Sequence, residues 1–342
     1  MKLMKTGVLS LMVLAMAACG NGEEGEGNGE EAGSGGSVTL QLGHALSPGT
    51  PAADQIDAVA ENVAERTDGR VELDVYPDSQ LGSETEMLEQ IQVGSMHAGA
   101  IMVGSMQTLD MRMAIEDLPY MWADIENARE AYRGEFGEEL AGIMDEQGMT
   151  QIGYLEWGFR HITNNDRPIV EPEDLEGMNI RVAETALRVD AFEQVGALPT
   201  VMAFSEVYGA LQQGALDAQE NPLANIVAPR FYEVQDYLSL TGHFYNTVMV
   251  VADSDIWDDI SEEDQQVIIE EFDEASEVVQ SENDEMEEEY LAELEENGME
   301  INDNVDTEAF REAMLPVYEE WEEDVFGEEL MDIYRGASGW EE

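Results

Sequence analysis

Short strand-like segments alternate with amphipathic helix-like segments along most of this chain. The stretch VTLQLGH (38–44) alternates apolar and polar residues, as a strand with one buried face does. Residues 51–66 place apolar side chains at helical spacing, and RVELDVYP (70–77) alternates again. The apolar run AGAIMVGS (98–105) suits a buried strand. Strands and helices that alternate at this interval predict an α/β architecture with a largely parallel sheet.

The alternation continues to about residue 243, and the last third of the chain then changes character. The middle predicts helices over 127–147, 186–195 and 203–214, and strands over 150–157, 178–184, 216–220 and 237–243. From Ser261 to Asn297 there is no proline or glycine, and apolar residues recur near helical spacing. This pattern predicts one or two long helices that lie across the globular body and not inside it.

The first 19 residues, MKLMKTGVLSLMVLAMAAC, have the layout of a secretory signal, with two lysines, an apolar run and small residues before Cys19. Cys19 is the only cysteine, and its position resembles the lipobox of bacterial lipoproteins, which predicts lipidation of Cys19. A plain secretion signal that contains a cysteine is the alternative. Residues 20–37, rich in glycine and acid, predict a flexible linker. We therefore expect an extracytoplasmic body, lipid-anchored to the cell membrane.

The charge balance is extreme, because 77 acidic residues stand against 14 basic ones, and both lysines lie at the extreme N-terminus. The rest of the chain carries 12 arginines and 77 acids, or 12 − 77 = −65 formal charges. At molar salt the Debye length of about 3 Å screens most of the resulting repulsion. We interpret the acids as a solvated, halophilic surface; binding of cations or basic partners is the alternative. The negative field argues against nucleic acid and anionic membrane surfaces as partners.

No residue pattern in the sequence predicts an enzyme. The four histidines lack metal-ligand spacing, and the sequence has no HExxH, GxSxG, P-loop or dinucleotide-binding motif. We therefore expect no catalytic residue, no metal site and no cofactor. His44 ends a predicted strand, where it either lines a cleft or is a hydrogen-bonded structural histidine.

Two arginines stand out because each lies at or near a predicted strand, Arg160 in WGFRH and Arg181 in NIRVA. In open α/β folds, side chains at the carboxyl edge of the sheet face the crevice where ligands bind. The guanidinium fork suits a carboxylate, because it donates two parallel charge-assisted hydrogen bonds. These positions indicate either an anion site or a structural ion pair, and the residues alone leave both interpretations open.

Four long segments carry a resemblance to a known family: YPDSQLGSETEMLEQIQVGSM, RPIVEPEDLEGMNIRV, VGALPTVMAFSEVYGALQQGALDAQENPL and APRFYEVQDYLSLTGH. They resemble the solute-binding proteins of TRAP transporters (DctP type), and the similarity runs from Val38 to about residue 325. The resemblance implies a two-domain, clam-shell fold of the periplasmic-binding-protein type with a long C-terminal spanning helix. It implies lobe I over 38–158 and about 247–285, lobe II over 159–246 and about 286–325, and a C-terminal tail over 326–342.

The resemblance also implies a binding site. In that family, the arginine of the strand that matches NIRV holds the ligand's carboxylate in a bidentate salt bridge, and that residue is Arg181 here. A preceding family arginine falls on Arg160, the asparagine of the QENP motif on Asn221, and an aromatic that often packs on the ligand on Phe204. The matched positions Glu84 and Glu184 carry residues that vary with the ligand across that family. With the strand-end histidine, the predicted substrate-binding residues are Arg181, Arg160, Asn221, Phe204, Glu84, Glu184 and His44.

The resemblance narrows the ligand. Family members that bind sialic acid have asparagine at the positions of Ala45 and Glu184, and those that bind ectoine lack an arginine at the position of Arg160. A C4-dicarboxylate, a hydroxy acid or a sugar acid remains. We expect a protein that captures such an organic acid for TRAP membrane permease subunits, without catalysis. The alternatives are a binding protein of an ATP-driven importer, a secreted hydrolase and a purely structural surface lipoprotein.

Overall fold

The computed structural model describes residues 37–340. The predicted signal segment with Cys19 and residues 20–36 of the predicted linker lie outside the described residues, as do residues 341 and 342. Within residues 37–340, no helix has both the length and the apolar character that crossing a membrane requires.

Two β-sheets form the framework of the body. The first contains, in spatial order, Val71–Tyr76 (β2), Val38–His44 (β1), Ala98–Met102 (β3), Tyr245–Asp253 (β9) and the first part of Met149–Asn164 (β4). Strands β1, β2 and β3 are parallel, and β9 is antiparallel to β3 and β4. The second contains, in order, Glu300–Asn302 (β10), Tyr237–Ser239 (β8), the last part of β4, Ala218–Pro222 (β7), Asn179–Val182 (β5) and Leu198–Val201 (β6). We call the parts of the body built on these sheets the first and the second lobe.

Strand β4 belongs to both sheets. Its residues up to Phe159 pair with β9, and its residues from Arg160 onward pair with β7. The ladder with β9 shifts register between Glu156 and Gly158, and Gly158 has φ = +102°, a conformation that glycine adopts without steric cost. The strand therefore passes from one sheet to the other just after Gly158, and Arg160 is the first residue of β4 in the second sheet.

Helices pack on both sheets. They are Pro51–Arg66 (α1), Glu84–Gln92 (α2), Ile125–Arg133 (α3), Glu135–Glu146 (α4), Ala186–Gln194 (α5), Phe204–Gln212 (α6), Ala224–Val227 (α7), Ser254–Asp258 (α8), Glu262–Glu296 (α9), Thr307–Trp321 (α10) and Gly327–Ala337 (α11). Short 3₁₀ helices, among them Val103–Thr108 and Met111–Asp117, connect β3 to α3. The predicted α/β fold class is confirmed.

Helix α9 extends from the first lobe to the second over 35 residues. Its N-terminal part buries Ile268 and Phe272 in the core of the first sheet. Its C-terminal part buries Tyr290 and Leu294 against residues of the second lobe. The predicted long spanning helix is confirmed, and it is one continuous helix.

Three of the differences between the structure and the prediction concern a helix, a strand and the C-terminal segment. The helix predicted over 127–147 is two helices, α3 and α4, separated by Gly134, whose backbone is extended (φ −112°, ψ −155°). The sequence does not predict β9, because all but its last residue are buried and it shows no alternation. The segment predicted as a C-terminal tail contains α11, which buries Leu330, Met331 and Tyr334. The residue boundaries of the two lobes stay a prediction.

We expect Gly153→Ala to destabilise the fold. A Cβ atom at Gly153 of β4 would lie 2.7 Å from Cβ and Cγ of Phe272, so β4 and α9 would have to separate. Overpacking of this kind costs about 1–3 kcal/mol. The control is Gly142→Ala in α4, where the added Cβ would meet no atom within 4 Å and alanine favours the helix by about 0.5–1 kcal/mol. Chemical denaturation at molar salt measures both effects, and unchanged stability of Gly153→Ala would contradict this packing.

Candidate functional site

A cleft between the two lobes brings together side chains from both. Strands β1, β3 and β5 all end there, since Ala45 follows β1, Met102 ends β3 and Ala183 follows β5. This is the carboxyl edge at which open α/β sheets bind ligands. The lining residues surround a narrow cavity of about 30 Å³. They are Ala45, Ser79, Ser83, Glu84, Met102, Ser105, Trp157, Arg160, Arg181, Ala183, Glu184, Ala203, Phe204 and Asn221.

Arg181 lies on β5, and only 3% of its surface is exposed. Its Nε and Nη2 donate to the carbonyl oxygen of Met202 at 2.9 and 2.6 Å. A guanidinium has five N–H groups, so these two bonds leave three. Among residues 37–340, no carboxylate forms an ion pair with Arg181. Burial lowers the pKa of Arg181 to about 10, although the charge of Glu220 acts in the opposite direction. The chain therefore fixes this cation in place without neutralising it.

Arg160, in contrast, has a carboxylate partner in the chain. Its Nη2 donates to Oε1 of Glu220 at 3.0 Å and its Nε donates to Oε2 of the same carboxylate. Nη2 also donates to Oδ1 of Asn221 at 2.9 Å. Nη1 is buried and has no hydrogen-bond partner in the described part of the chain. Arg160 therefore takes part in a structural ion pair and keeps one terminal nitrogen that a ligand can use.

A third arginine, Arg188 on α5, joins the same buried ion network. Its Nη2 donates to Oδ1 of Asp117 at 2.7 Å, and its Nη1 donates to Oε1 of Glu220 at 3.1 Å. Burial alone would raise the pKa of Glu220, but the charges of Arg160 and Arg188 outweigh burial and hold that pKa well below its ordinary value. In this network two arginines balance two carboxylates. Sequence reasoning misses Arg188, because a helix arginine in so acidic a chain has many surface partners available.

Asn221 and Phe204 complete the part of the wall around the arginines. Asn221 lies on β7, accepts from Arg160 and donates through Nδ2 to Oε1 of Gln219 at 2.5 Å, which leaves one amide N–H. Phe204 begins α6, and its ring centroid lies 6.0 Å from Cζ of Arg181, within the range of a cation–π contact. The predicted residues Arg181, Arg160, Asn221 and Phe204 therefore meet in one cleft.

Two predicted glutamates line the same cleft. Glu84 is the first residue of α2; its Oε1 accepts from the backbone N–H of Met102 at 2.9 Å and its Oε2 from Oγ of Ser105 at 2.6 Å. Burial raises the pKa of Glu84, with those two hydrogen bonds acting against it. Glu184 follows β5, and its Oε2 accepts from Oγ1 of Thr85 at 3.2 Å. That bond connects the two lobes at the cleft.

His44 is fully buried beside the cleft but does not line it; its neighbour Ala45 does. Neither ring nitrogen has a hydrogen-bond partner in the part of the chain that the structure describes. Burial lowers the pKa of His44 to about 4. His44 is therefore a neutral core residue, and the structure does not place it with the other predicted site residues.

Sequence reasoning also misses small polar and aromatic residues of the wall. Ser79, Ser83 and Ser105 lie in the segments that follow β2 and β3, and Trp157 lies on β4 close to the change of sheet. The rule that ligands bind at the carboxyl ends of parallel strands would have drawn attention to the serines. Trp157 gives no such signal, because its position depends on how β4 turns between the sheets.

The arrangement suits recognition of a carboxylate. N–H groups of Arg181, Arg160 and Asn221 converge on one cleft with an aromatic ring beside them, and charge-assisted hydrogen bonds of this kind are strong when water is excluded. Within residues 37–340, no group of three or more potential metal ligands is placed to hold a metal ion.

Comparison with known proteins gives one family. Residues 42–324 match the model of the bacterial extracellular solute-binding proteins, family 7 (DctP). The chain is 32% identical over 300 residues to a solute-binding protein of Verminephrobacter eiseniae (strain EF01-2), across 88% of this chain and 89% of that one.

Two solved structures illustrate the likeness of the fold. A TRAP periplasmic solute-binding protein from Polaromonas sp. JS666, bound to D-erythronate, has a TM-score of 0.84 at 31% identity and covers 89% of this chain and 100% of its own. A TRAP periplasmic solute-binding protein from Sulfurospirillum deleyianum, with bound succinate, has a TM-score of 0.82 at 30% identity and covers 88% and 99%. The two-domain fold is therefore confirmed as well.

We expect His44 to make the fold sensitive to mild acid. The unfolded chain protonates this histidine near its ordinary pKa of 6.5, whereas the folded chain does so near 4. The stability that His44 contributes is thus fully present above pH 6.5 and is lost as the pH falls through 4. At pH 5 the free energy of unfolding should already be lower by about 2 kcal/mol. The free energy of unfolding of His44→Gln, measured at pH 7.5 and 5, should fall by about that much less than that of the wild type. An equal fall in both proteins would show that His44 is not buried as a neutral group.

Proposed function

The chain belongs to family 7 of the bacterial extracellular solute-binding proteins, the DctP family of TRAP solute-binding proteins, and we propose that it captures a small organic acid by its carboxylate. The acid would be a C4-dicarboxylate, a hydroxy acid or a sugar acid, and the protein would deliver it to the membrane permease subunits of a TRAP transporter. Members of this family are substrate-binding components of transport systems, not enzymes, and they act outside the cytoplasm.

One observation carries the proposal. Arg181 is buried in the cleft wall, oriented by the carbonyl of Met202, and without an ion-pair partner among residues 37–340. A buried charge costs several kcal/mol unless it is paired and hydrogen-bonded. A ligand carboxylate that accepts from the remaining N–H groups of Arg181 would recover that cost. This is why the site favours a carboxylate over a neutral solute.

The neighbouring groups give the carboxylate further donors. Nη1 of Arg160 is buried without a partner, and Asn221 keeps one amide N–H. Phe204 covers the guanidinium of Arg181 on one side and limits access of water to the ion pair. The ion network of Arg160, Arg188, Glu220 and Asp117 holds Arg160 rigidly, so little ordering entropy is lost when the ligand binds.

Binding should stabilise one arrangement of the lobes. The carboxylate would rest on the second lobe, while Glu84 and the serines of the first lobe would contact the rest of the ligand. A ligand that touches both lobes shifts the population toward the closed form. We place the bend at Gly158, where β4 changes sheet. In this proposal, lobe I comprises 38–158 and about 247–285, and lobe II comprises 159–246 and about 286–325.

We further propose that Cys19 is lipidated and that residues 20–37 tether the body to the outer face of the cell membrane. The support is the position of Cys19 after an apolar signal-like run and the glycine- and acid-rich composition of the segment that follows.

We expect Arg181→Ala to cost about 2–5 kcal/mol of binding free energy for an organic acid, because it leaves a desolvated carboxylate unpaired. Arg181→Lys should also bind weakly, since an ammonium cannot reproduce the fork. The control is Arg167→Lys, because Arg167 is half exposed and only pairs with Asp166 at 3.4 Å. Calorimetry at molar salt, with D-erythronate, succinate and D-galacturonate as probes, measures all three variants. Wild-type affinity in Arg181→Lys would refute the role of Arg181.

A further inference from the structure

The charged side chains that line the cleft differ in whether the protein itself supplies an ion-pair partner. Two arginines and two glutamates line the cleft. Arg160 is neutralised by Glu220, which lies behind the wall, so Arg181 is the one lining cation without a carboxylate partner in the described residues. Glu84 and Glu184 form no ion pair with any described cation. One carboxylate on Arg181 therefore uses the only unpaired positive charge that the wall offers.

While the carboxylate of Glu84 is ionised, it can accept hydrogen bonds from a ligand but cannot donate one. Each of its carboxylate oxygens already accepts one bond, from the N–H of Met102 and from Oγ of Ser105. Each oxygen retains acceptor capacity, because an ionised carboxylate has about four lone-pair sites. Its rotamer is fixed from two directions, so it cannot swing away from an unfavourable ligand group without losing both bonds.

Glu184 contributes a second acceptor from the other lobe. Its Oε2 accepts from Oγ1 of Thr85, and its Oε1 makes no hydrogen bond within residues 37–340. Because Thr85 and Glu84 are neighbours on α2, the two glutamates approach the cleft at the same place from opposite lobes. The cleft therefore presents two carboxylates with spare acceptor capacity, one from each lobe, to a ligand whose own carboxylate binds Arg181.

The first turn of α2 is the obvious rival site for a second anion, since helix N-termini favour negative charge. In this chain that helix end is already occupied by acidic side chains. Ser83 and Glu86 form a capping box, and Glu84 is the first helical residue. The partial positive charge of the helix end is thus compensated by the protein itself.

Resting on the proposed carboxylate site at Arg181, we infer that Glu84 and Glu184 select a polyhydroxy monocarboxylate and reject dicarboxylates. Hydroxyl groups on the remaining carbons donate to the free acceptor positions of the two glutamates. A second ligand carboxylate would meet two like charges at contact distance with no free cation, a juxtaposition that strongly weakens binding. Molar salt does not relieve this repulsion, because screening acts over about 3 Å and the groups would be in contact.

Three four-carbon acids separate the effect of the ligand hydroxyls from the repulsion of a second carboxylate. D-Erythronate has one carboxylate and three hydroxyls, butyrate has one carboxylate and no hydroxyl, and succinate has two carboxylates and no hydroxyl. Calorimetry at pH 8 in molar salt should rank their affinities in that order, with erythronate at least about tenfold tighter than succinate. Glucuronate is a longer hydroxylated monocarboxylate and tests whether the cleft prefers a larger acid. It should also bind more tightly than succinate.

Glu84→Gln tests the residue directly, because glutamine keeps the shape and can still bond to Met102 and Ser105. The ratio of the succinate Kd to the erythronate Kd should fall about tenfold or more in this variant, and Glu184→Gln should change it in the same direction. The control is Glu89→Gln, on the exposed face of the same helix. A general loss of folding would shift both affinities together and would leave the ratio unchanged.

The outcomes separate this inference from the proposed function. Succinate binding as tightly as the hydroxylated acids, or a ratio unchanged in Glu84→Gln, would overturn the selection by the glutamates while carboxylate binding at Arg181 stands. Binding of no acid by the wild type, with circular dichroism showing a folded protein, would overturn both.

Discussion

A buried cation without a partner is the constraint on which the site depends. Taking an arginine out of water costs several kcal/mol, and proteins recover that cost with a carboxylate and hydrogen bonds. Arg160 and Arg188 follow this rule through Glu220 and Asp117. Within residues 37–340, Arg181 donates hydrogen bonds only to the carbonyl of Met202 and forms no ion pair with any of the many acidic residues there. We infer that a ligand from solution supplies the carboxylate that pairs with Arg181. Glu220 and Asp117 do not supply it, because they already pair with Arg160 and Arg188.

The backbone brings these groups together through two elements shared by the lobes. Strand β4 leaves the first sheet after Gly158 and delivers Arg160 to the second, next to Asn221 on β7. Helix α9 packs on both lobes and fixes their connection from the outside. Strands β1, β3 and β5 all end at the cleft. The segments that follow them therefore place polar and charged side chains in the cleft wall without the need for long loops. That the surface acids are an adaptation to salt stays a prediction.

The α/β fold and the spanning helix could be predicted, because period-two and period-3.6 patterns are local properties of the chain. The position of Arg181 on a strand could be predicted in the same way. Its lack of a partner could not, since the partner of a charge depends on which distant residues fold against it; Arg160 has the same local pattern and is paired with Glu220, 60 residues away. Strand β9 is missed because it is buried on both faces. The sequence alone also does not decide that Ala45 lines the cleft while His44 is buried, because adjacent residues at a strand end point differently.

The most direct test of the account is a crystal structure of the protein grown at molar salt with D-glucuronate or D-erythronate. We expect a ligand carboxylate with two oxygens at about 2.7–3.2 Å from the Nη atoms of Arg181, with the bond from Arg181 to Met202 retained. The account would be contradicted by a ligand bound in the cleft whose carboxylate lies away from Arg181, or by an Arg181 that turns to a carboxylate of its own chain.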